Sequence, residues 1–303
     1  MTYFTTHSDL EPTLNGGKMT IGIGVICERG DCVVVASDMR ATYGTTPIGP
    51  HDQCGKIFRL SPFPTMACVA GNLSECHAII SQVAHNIRSL QRIKGRLGRE
   101  HFMNVIDEAR AREMRLIYSW TLRTKMGISL TEWVQGKVVG GMDKLVLRAG
   151  LSFMKDAPLR VELIVAGFAR GQTMFFRAVQ KRRLEEESSP AVYVIGKGQV
   201  HAMDVLNRRS QNHFMSLPRT LLHLHEAMLA AREEKTVGPA NGFIVMRKHV
   251  PEIAFLPADA PCIREFSVAY KTRTNTGSLD DSRVAAMNVY QQLKILKITK
   301  GNR

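Results

Sequence analysis

The chain has 303 residues, 44% of them hydrophobic and 22% charged, which is enough apolar mass for one large globular domain or two smaller ones. No stretch approaches the roughly 20 consecutive apolar residues of a membrane span, and the first 18 residues ("MTYFTTHSDLEPTLNGGK") lack both segments of a secretory signal, so a cytoplasmic protein without membrane partners is expected. The formal net charge of +14 raises nucleic acid as a partner, but no aromatic residues alternate with the bases as a stacking platform requires. Nucleic acid is therefore disfavoured, and the basic stretch 88–125 is read as a solvated helix face or a subunit interface.

In chain order, the polar residues before Thr20 read as a leader, a propeptide or a mis-assigned start. "TIGIGVIC" and "CVVVAS" are two apolar runs joined by the turn "ERGD", and they predict a strand pair buried on both faces. "GKIFRL" and "TMACVAG" predict two more short strands. The pattern then switches to helical spacing, with Ala78, Ile79, Val83 and Ile87 following Ser74 as N-cap, and again over about 100–123. Residues 126–157 fit either a helix or an inserted hairpin around "GGMDK". "VELIVAGF" and "TMFFRAV" read as a hairpin, and "AVYVIGKG" as a strand ending in a glycine turn. Helices are expected near 201–209 and 217–234, the second opening with Ser216 and Pro218. "GFIVMRK" and "EIAFL" give a last strand pair, and "SRVAAMNVYQQLKILK" a terminal helix. Strands, two helices, strands, two helices and strands in that order predict an α+β fold.

The six cysteines show no C-x-x-C pair, and His223 and His225 lie two apart in a helix, where they point in different directions; no metal and no cofactor is expected. Cys27 and Cys32 flank the first turn and are read as small apolar thiols. No G-x-S-x-G elbow or H-E-x-x-H helix is present. One constellation remains: a threonine heading a strand (Thr20), Asp38 and Arg40 ending its partner, Lys56 opening the next strand, and Gly71 ending the one after. Were Thr20 the first residue, its α-amine, unperturbed near about 7.7 to 8.0, would take the hydroxyl proton at neutral pH without a histidine. Lys56 would stabilise the alkoxide, Asp38 would orient Lys56, and the Gly71 amide would donate to the oxyanion. The plainer alternative is that Asp38 and Arg40 end a strand and Lys56 is a surface charge.

"TIGIGVICERGDCVVVASDMRATYG", "CGKIFRL", "MACVAGNLSEC", "LIVAGF", "VIGKG" and "GFIVMRK" together resemble, in order over about 19–257, the proteasome subunit family and its bacterial relatives among the N-terminal nucleophile hydrolases. The resemblance implies a four-layer αββα sandwich over 20–257, with an insertion at about 126–157 and a C-terminal extension over 258–303. It also implies ring or stacked homo-oligomers, peptide or unfolded-protein substrates, an ATP-dependent unfoldase of unknown identity as a possible partner, and threonine-type peptide hydrolysis. Asp38, Lys56, Arg40 and Gly71 match the family's carboxylate, lysine, arginine and oxyanion glycine. Ala41 and Thr42 fall where its substrate-pairing strand begins, and Glu233 and Thr236 where it carries an Asp and a Ser that support the threonine. Cys54, Val69 and Leu73, around Lys56 and Gly71, suggest an apolar substrate pocket, although Phe58 among them points equally well into the core.

Three departures stand out. Met19 precedes Thr20 where the family has glycine, which a start at Met19 followed by methionine removal would explain. The turn before Asp38 is about two residues longer than usual, so a second alignment puts Lys18 at the nucleophile position. Lys197 replaces a serine in the "G-S-G" turn. These keep a catalytically silent assembly subunit as the alternative, with a basic nucleic-acid-binding protein behind it.

Overall fold

A computed structural model of the chain describes residues 21–38, 42–43, 46–47, 56–60, 64–95, 97–139, 142–179, 191–234, 237–238, 240–276 and 289–295. The first two strands, β1 (Ile21–Cys27) and β2 (Cys32–Asp38), pair antiparallel in the register Cys27 to Cys32 through Gly22 to Ser37. The alternation in "IGIGV" has a direct physical cause. Ile21, Ile23 and Val25 enter a core under one set of helices, while Gly22 and Gly24 face the second sheet. A Cβ on Gly22 would lie 2.5 Å from Cys68 Sγ, and one on Gly24 2.8 Å from the Phe175 ring. The glycines let the two sheets close up at this point.

Strands β3 (Thr42–Tyr43) and β4 (Thr46–Pro47) form a small ribbon. A four-stranded sheet has the order β5-β6-β7-β8, made of β5 (Ile57–Arg59), β6 (Thr65–Gly71), β7 (Val161–Ala169) and β8 (Gln172–Val179). The other large sheet adds β9 (Val192–Gly196), β10 (Ala240–Arg247), β11 (Val250–Pro257) and β12 (Lys294–Ile295) in the order β12-β11-β10-β2-β1-β9. Pairing is antiparallel throughout the described sheets. The two large sheets meet across a core that includes Val33, Val35, Cys68, Ile164, Phe175 and Ile195.

Helices cover the remaining strand faces. α1 (Leu73–Lys94) and α2 (Arg99–Met126) bury Ile79, Val83, Phe102 and Ile106 against Val69, Leu163 and Phe176 of the four-stranded sheet. The segment 126–157 holds two helices, α3 (Leu130–Val139) and α4 (Lys144–Lys155), which share a small core of Leu122, Trp133 and Met154 with the end of α2. On the other sheet, α5 (Gln199–Arg208), α6 (Leu217–Ala231) and α7 (Pro261–Thr276) bury Leu206, Leu221, Leu224 and Phe266 against β1, β2 and β10. A last short helix, α8 (Val289–Gln292), follows. The result is an α+β fold with antiparallel sheets.

Two expectations change. Asn72, not Ser74, caps α1: its side chain accepts from the amides of Ser74 and Glu75, the shorter Asx geometry that an N-cap prefers. In the tail, for whose first part no helix was expected, α7 is a 16-residue helix, whereas only Val289–Gln292 of the expected terminal helix is helical among the described residues. Burial of Cys262, Ile263 and Phe266 against α6 drives α7, a tertiary contact that local pattern underweights. Cys27 and Cys32 face each other in register as free, buried thiols. Among the described residues no helix is long and apolar enough to cross a membrane.

Candidate active site

The site forms where β1 begins and β2 ends. Asp38, the last residue of β2, has a fully buried carboxylate whose Oδ1 accepts from Lys56 Nζ at 2.8 Å and from the Ile21 amide at 3.0 Å. Its Oδ2 accepts from the Gly238 amide at 2.9 Å. Lys56, 6% exposed, sits just ahead of β5, and its carbonyl accepts from the Val69 amide of β6 at 2.9 Å. An unpaired charge at this depth would be costly, so three donors on Asp38 fix both carboxylate oxygens and aim the ammonium at the start of β1.

Covalent geometry extends this one step. The nitrogen of residue 20 is no more than one residue span, about 3.8 Å, from the Ile21 nitrogen. The Ile21 amide that bonds Asp38 is thus one residue along the chain from position 20. Thr20, Arg40, Ala41, Cys54 and Thr236, like Lys18 and Met19, lie outside the described residues. For Thr42 only the backbone is described, in β3.

Gly71 ends β6 at φ 116°, with the Arg160 carbonyl 2.0 Å from where a Cβ would stand. Only glycine fits there. In the β6 ladder, the Asn72 amide bonds Arg160 on the β7 side and the Val69 amide bonds Lys56 on the β5 side. Alternation thus turns the Gly71 amide to the Lys56 side, roughly 7 Å beyond the Val69 amide. Glu75 in the first turn of α1 accepts from the Arg160 amide at 2.8 Å and pins this corner. Burial raises the Glu75 carboxyl, and that hydrogen bond opposes the rise.

The structure thus brings Asp38, Lys56 and the amide edge of Gly71 to one end of the two sheets. Val69 and Glu233 lie elsewhere. Val69 packs into the core beneath α1 and α2, because alternation along β6 turns it away from the sheet interface. Glu233 is on the surface, with His201 Nδ1 3.6 Å from its carboxylate. Leu73 is half-buried as the first residue of α1. Phe58 packs against the helix-side core, edge-on to His77 at 5.2 Å. Cys68 lies beneath the pair, its thiol pushed up to about 12 by burial despite the nearby Lys56 charge, and so it is not a competing nucleophile.

Two groups escaped sequence reading. The Gly238 amide acts through the backbone, which a side-chain motif does not register. Glu162 on β7 accepts from the Gly196 amide at 2.9 Å, and Gly196 is the register partner of Ile21. Glu162 thereby ties the four-stranded sheet to the edge of the other sheet at the site. Its only sequence signal is a carboxylate inside the apolar run "VELIV". Lys197, next to Gly196, is exposed. No cluster of His, Cys, Asp and Glu suited to a metal occurs among the described residues.

The fold, taken alone, has a distant likeness among solved structures. The solved structure described as Anbu (Gly-1) mutant, from Hyphomicrobium sp. strain MC1, matches over 86% of this chain and 99% of its own, with a TM-score of 0.53 and 16% identity. At that identity the likeness is one of fold. No family model and no curated protein sequence matches the chain.

Proposed function

We propose that the chain is a threonine-type peptidase built on a four-layer αββα sandwich, with Thr20 as its mature first residue. Its hydroxyl attacks a peptide carbonyl, its own amine takes and returns the proton, and water hydrolyses the resulting ester. Lys56 stabilises the developing alkoxide, Asp38 holds Lys56, and the Gly71 amide receives the oxyanion. The observation that supports this reading is the bond of the Ile21 amide, one residue after Thr20 in the chain, to Asp38 Oδ1 of a buried Lys56–Asp38 pair. Arg40 and Thr236 remain supporting candidates, and Ala41, Thr42, Cys54 and Leu73 candidate lining for an extended, apolar substrate. Self-assembly and a cytoplasmic setting belong to the same reading. The test is incubation with an electrophilic peptide followed by peptide mapping. A covalent adduct on Thr20, absent in Lys56→Met, supports the reading; full-length protein that stays unmodified under saturating reagent refutes it.

Lys197 favours a second reading, a silent assembly subunit. Lys197 is exposed and follows Gly196, the register partner of Ile21, where the family's turn carries a serine. The same Thr20 adduct would eliminate this alternative.

A further inference from the structure

Among the described residues β9 is the terminal strand of its sheet and pairs only with β1. The Ile26 amide bonds the Ala191 carbonyl at 2.8 Å, which fixes the phase of the ladder: residues 191, 193 and 195 bond to β1, and Val192, Val194 and Gly196 turn their amides and carbonyls outward. The Gly196 amide finds Glu162. The outward groups of Val192 and Val194 have no partner among the described residues. Sheet edges are ordinarily blunted by a lysine, a proline or a bulge, and "VYVIG" contains none of these.

A cavity of about 340 Å³ lies along this edge. Val192, Val194, Val200 and Met203 give it an apolar wall. Arg177, from β8, Tyr193 and Gln199 complete it, and the Arg177 Nε is buried with no hydrogen-bond partner, while its Nη2 reaches Gln199 Oε1 at only 3.5 Å. The volume falls within the usual range for ligand sites, about 300–1,000 Å³. Two outward strand pairs, an apolar wall and an unsatisfied guanidinium nitrogen have one common complement.

We propose that the outer edge of β9 is a docking groove for an extended, acidic peptide segment of a partner protein, which adds as a seventh strand and sets a carboxylate on Arg177. The backbone supplies affinity that is independent of sequence, with alternate side chains read by Val200 and Met203 on one side and by Arg177 on the other. The part of the half-buried Arg177 guanidinium that faces the groove selects acidic over neutral peptides through a charge-assisted bond.

The test is fluorescence anisotropy on the full chain, with a fluorescein-tagged hexapeptide of alternating valine and threonine carrying one central glutamate. Saturable binding is expected, weakened about tenfold when glutamine replaces the glutamate and lost when alternate peptide amides are N-methylated. Both controls leave the protein untouched. Val192→Pro, which removes an outward amide at the first residue of an edge strand, and Arg177→Met should weaken binding equally for variants that keep the wild-type melting temperature. Equal affinity for the glutamate and glutamine peptides would overturn the proposal. So would displacement of the peptide by an equal concentration of sodium phosphate, or a change of oligomeric mass in Val192→Pro, since these would assign the groove to a free anion or to a second copy of the chain.

Discussion

Asp38 is the residue on which the site converges, because it accepts from Lys56, Ile21 and Gly238 at once. Asp38→Asn leaves Lys56 buried without its charge partner and should destabilise the fold by about 3–5 kcal/mol in chemical denaturation. Asp38→Asn combined with Lys56→Met should recover most of that loss without restoring adduct formation. The pair separates the structural role of the site from the chemical one. Lys197 leads to a pH prediction. If Thr20 is the mature first residue and Lys197 lies close to its amine, the cation disfavours the protonated form, so the acid limb of kcat/KM should move to higher pH in Lys197→Ser, as read from a pH–rate profile. His225 leads to another. Burial, with Arg232 adding to it, lowers its imidazole to about 4, while Nε2 contacts Ser267 Oγ at 2.9 Å. The folded state keeps this histidine neutral and the unfolded state binds a proton near about 6.5. Its contribution is therefore intact above pH 6.5 and is lost as pH falls toward 4, amounting to roughly 3 kcal/mol. Denaturation midpoints across that window should fall in the wild type and flatten in His225→Gln. Asp38, Lys56 and Gly71 were legible in the sequence because side-chain type and strand ends carry them. Gly238 and the Glu162–Gly196 bond were not, because a backbone amide has no residue signature.

At the scale of elements, the glycines of β1 set the separation of the sheets. Gly22→Ala places a methyl group 2.5 Å from Cys68 Sγ, inside the interface directly below the Lys56–Asp38 pair. About 1–3 kcal/mol of destabilisation is expected, checked by thermal melting. The α3–α4 arm is a different case. Its core is separate from the three larger ones, and Gly150 admits the Trp133 indole so closely that a Cβ there would lie 2.3 Å from Nε1. Trp133→Ala should speed hydrogen exchange over 130–155 while protection in β1 and β2 stays unchanged, because stability is partitioned by core. Strands were the most legible elements, as "CVVVAS" and "VELIVAGF" leave no helical alternative of adequate length. The arm was ambiguous because its helices are short and their apolar faces meet only each other and the end of α2. The basic stretch was only partly a solvated face. Arg110 is buried, with Asp107 3.6 Å away and its guanidinium lowered by burial, and Arg99 lies over the Phe176 ring at 5.1 Å.

For the whole molecule, the arrangement of two facing antiparallel sheets and their helices agrees with the order of elements in the sequence and with the distant likeness to Anbu. Topology sets Ile21 between β2 and β9 and so brings four separate segments, ending at Asp38, Lys56, Gly196 and Gly238, to one end of the sheets. Sequence order alone could not reveal that convergence, since Gly238 binds a residue 200 positions away. The central claim is that residue 20 carries a free amine beside this constellation. N-terminal sequencing, with intact mass, of the assembled protein tests it most directly. The expected result is a chain that begins at Thr20, whether by removal of Met19 or by cleavage after it. A fully assembled protein that retains Met1 would rule out Thr20 as the nucleophile.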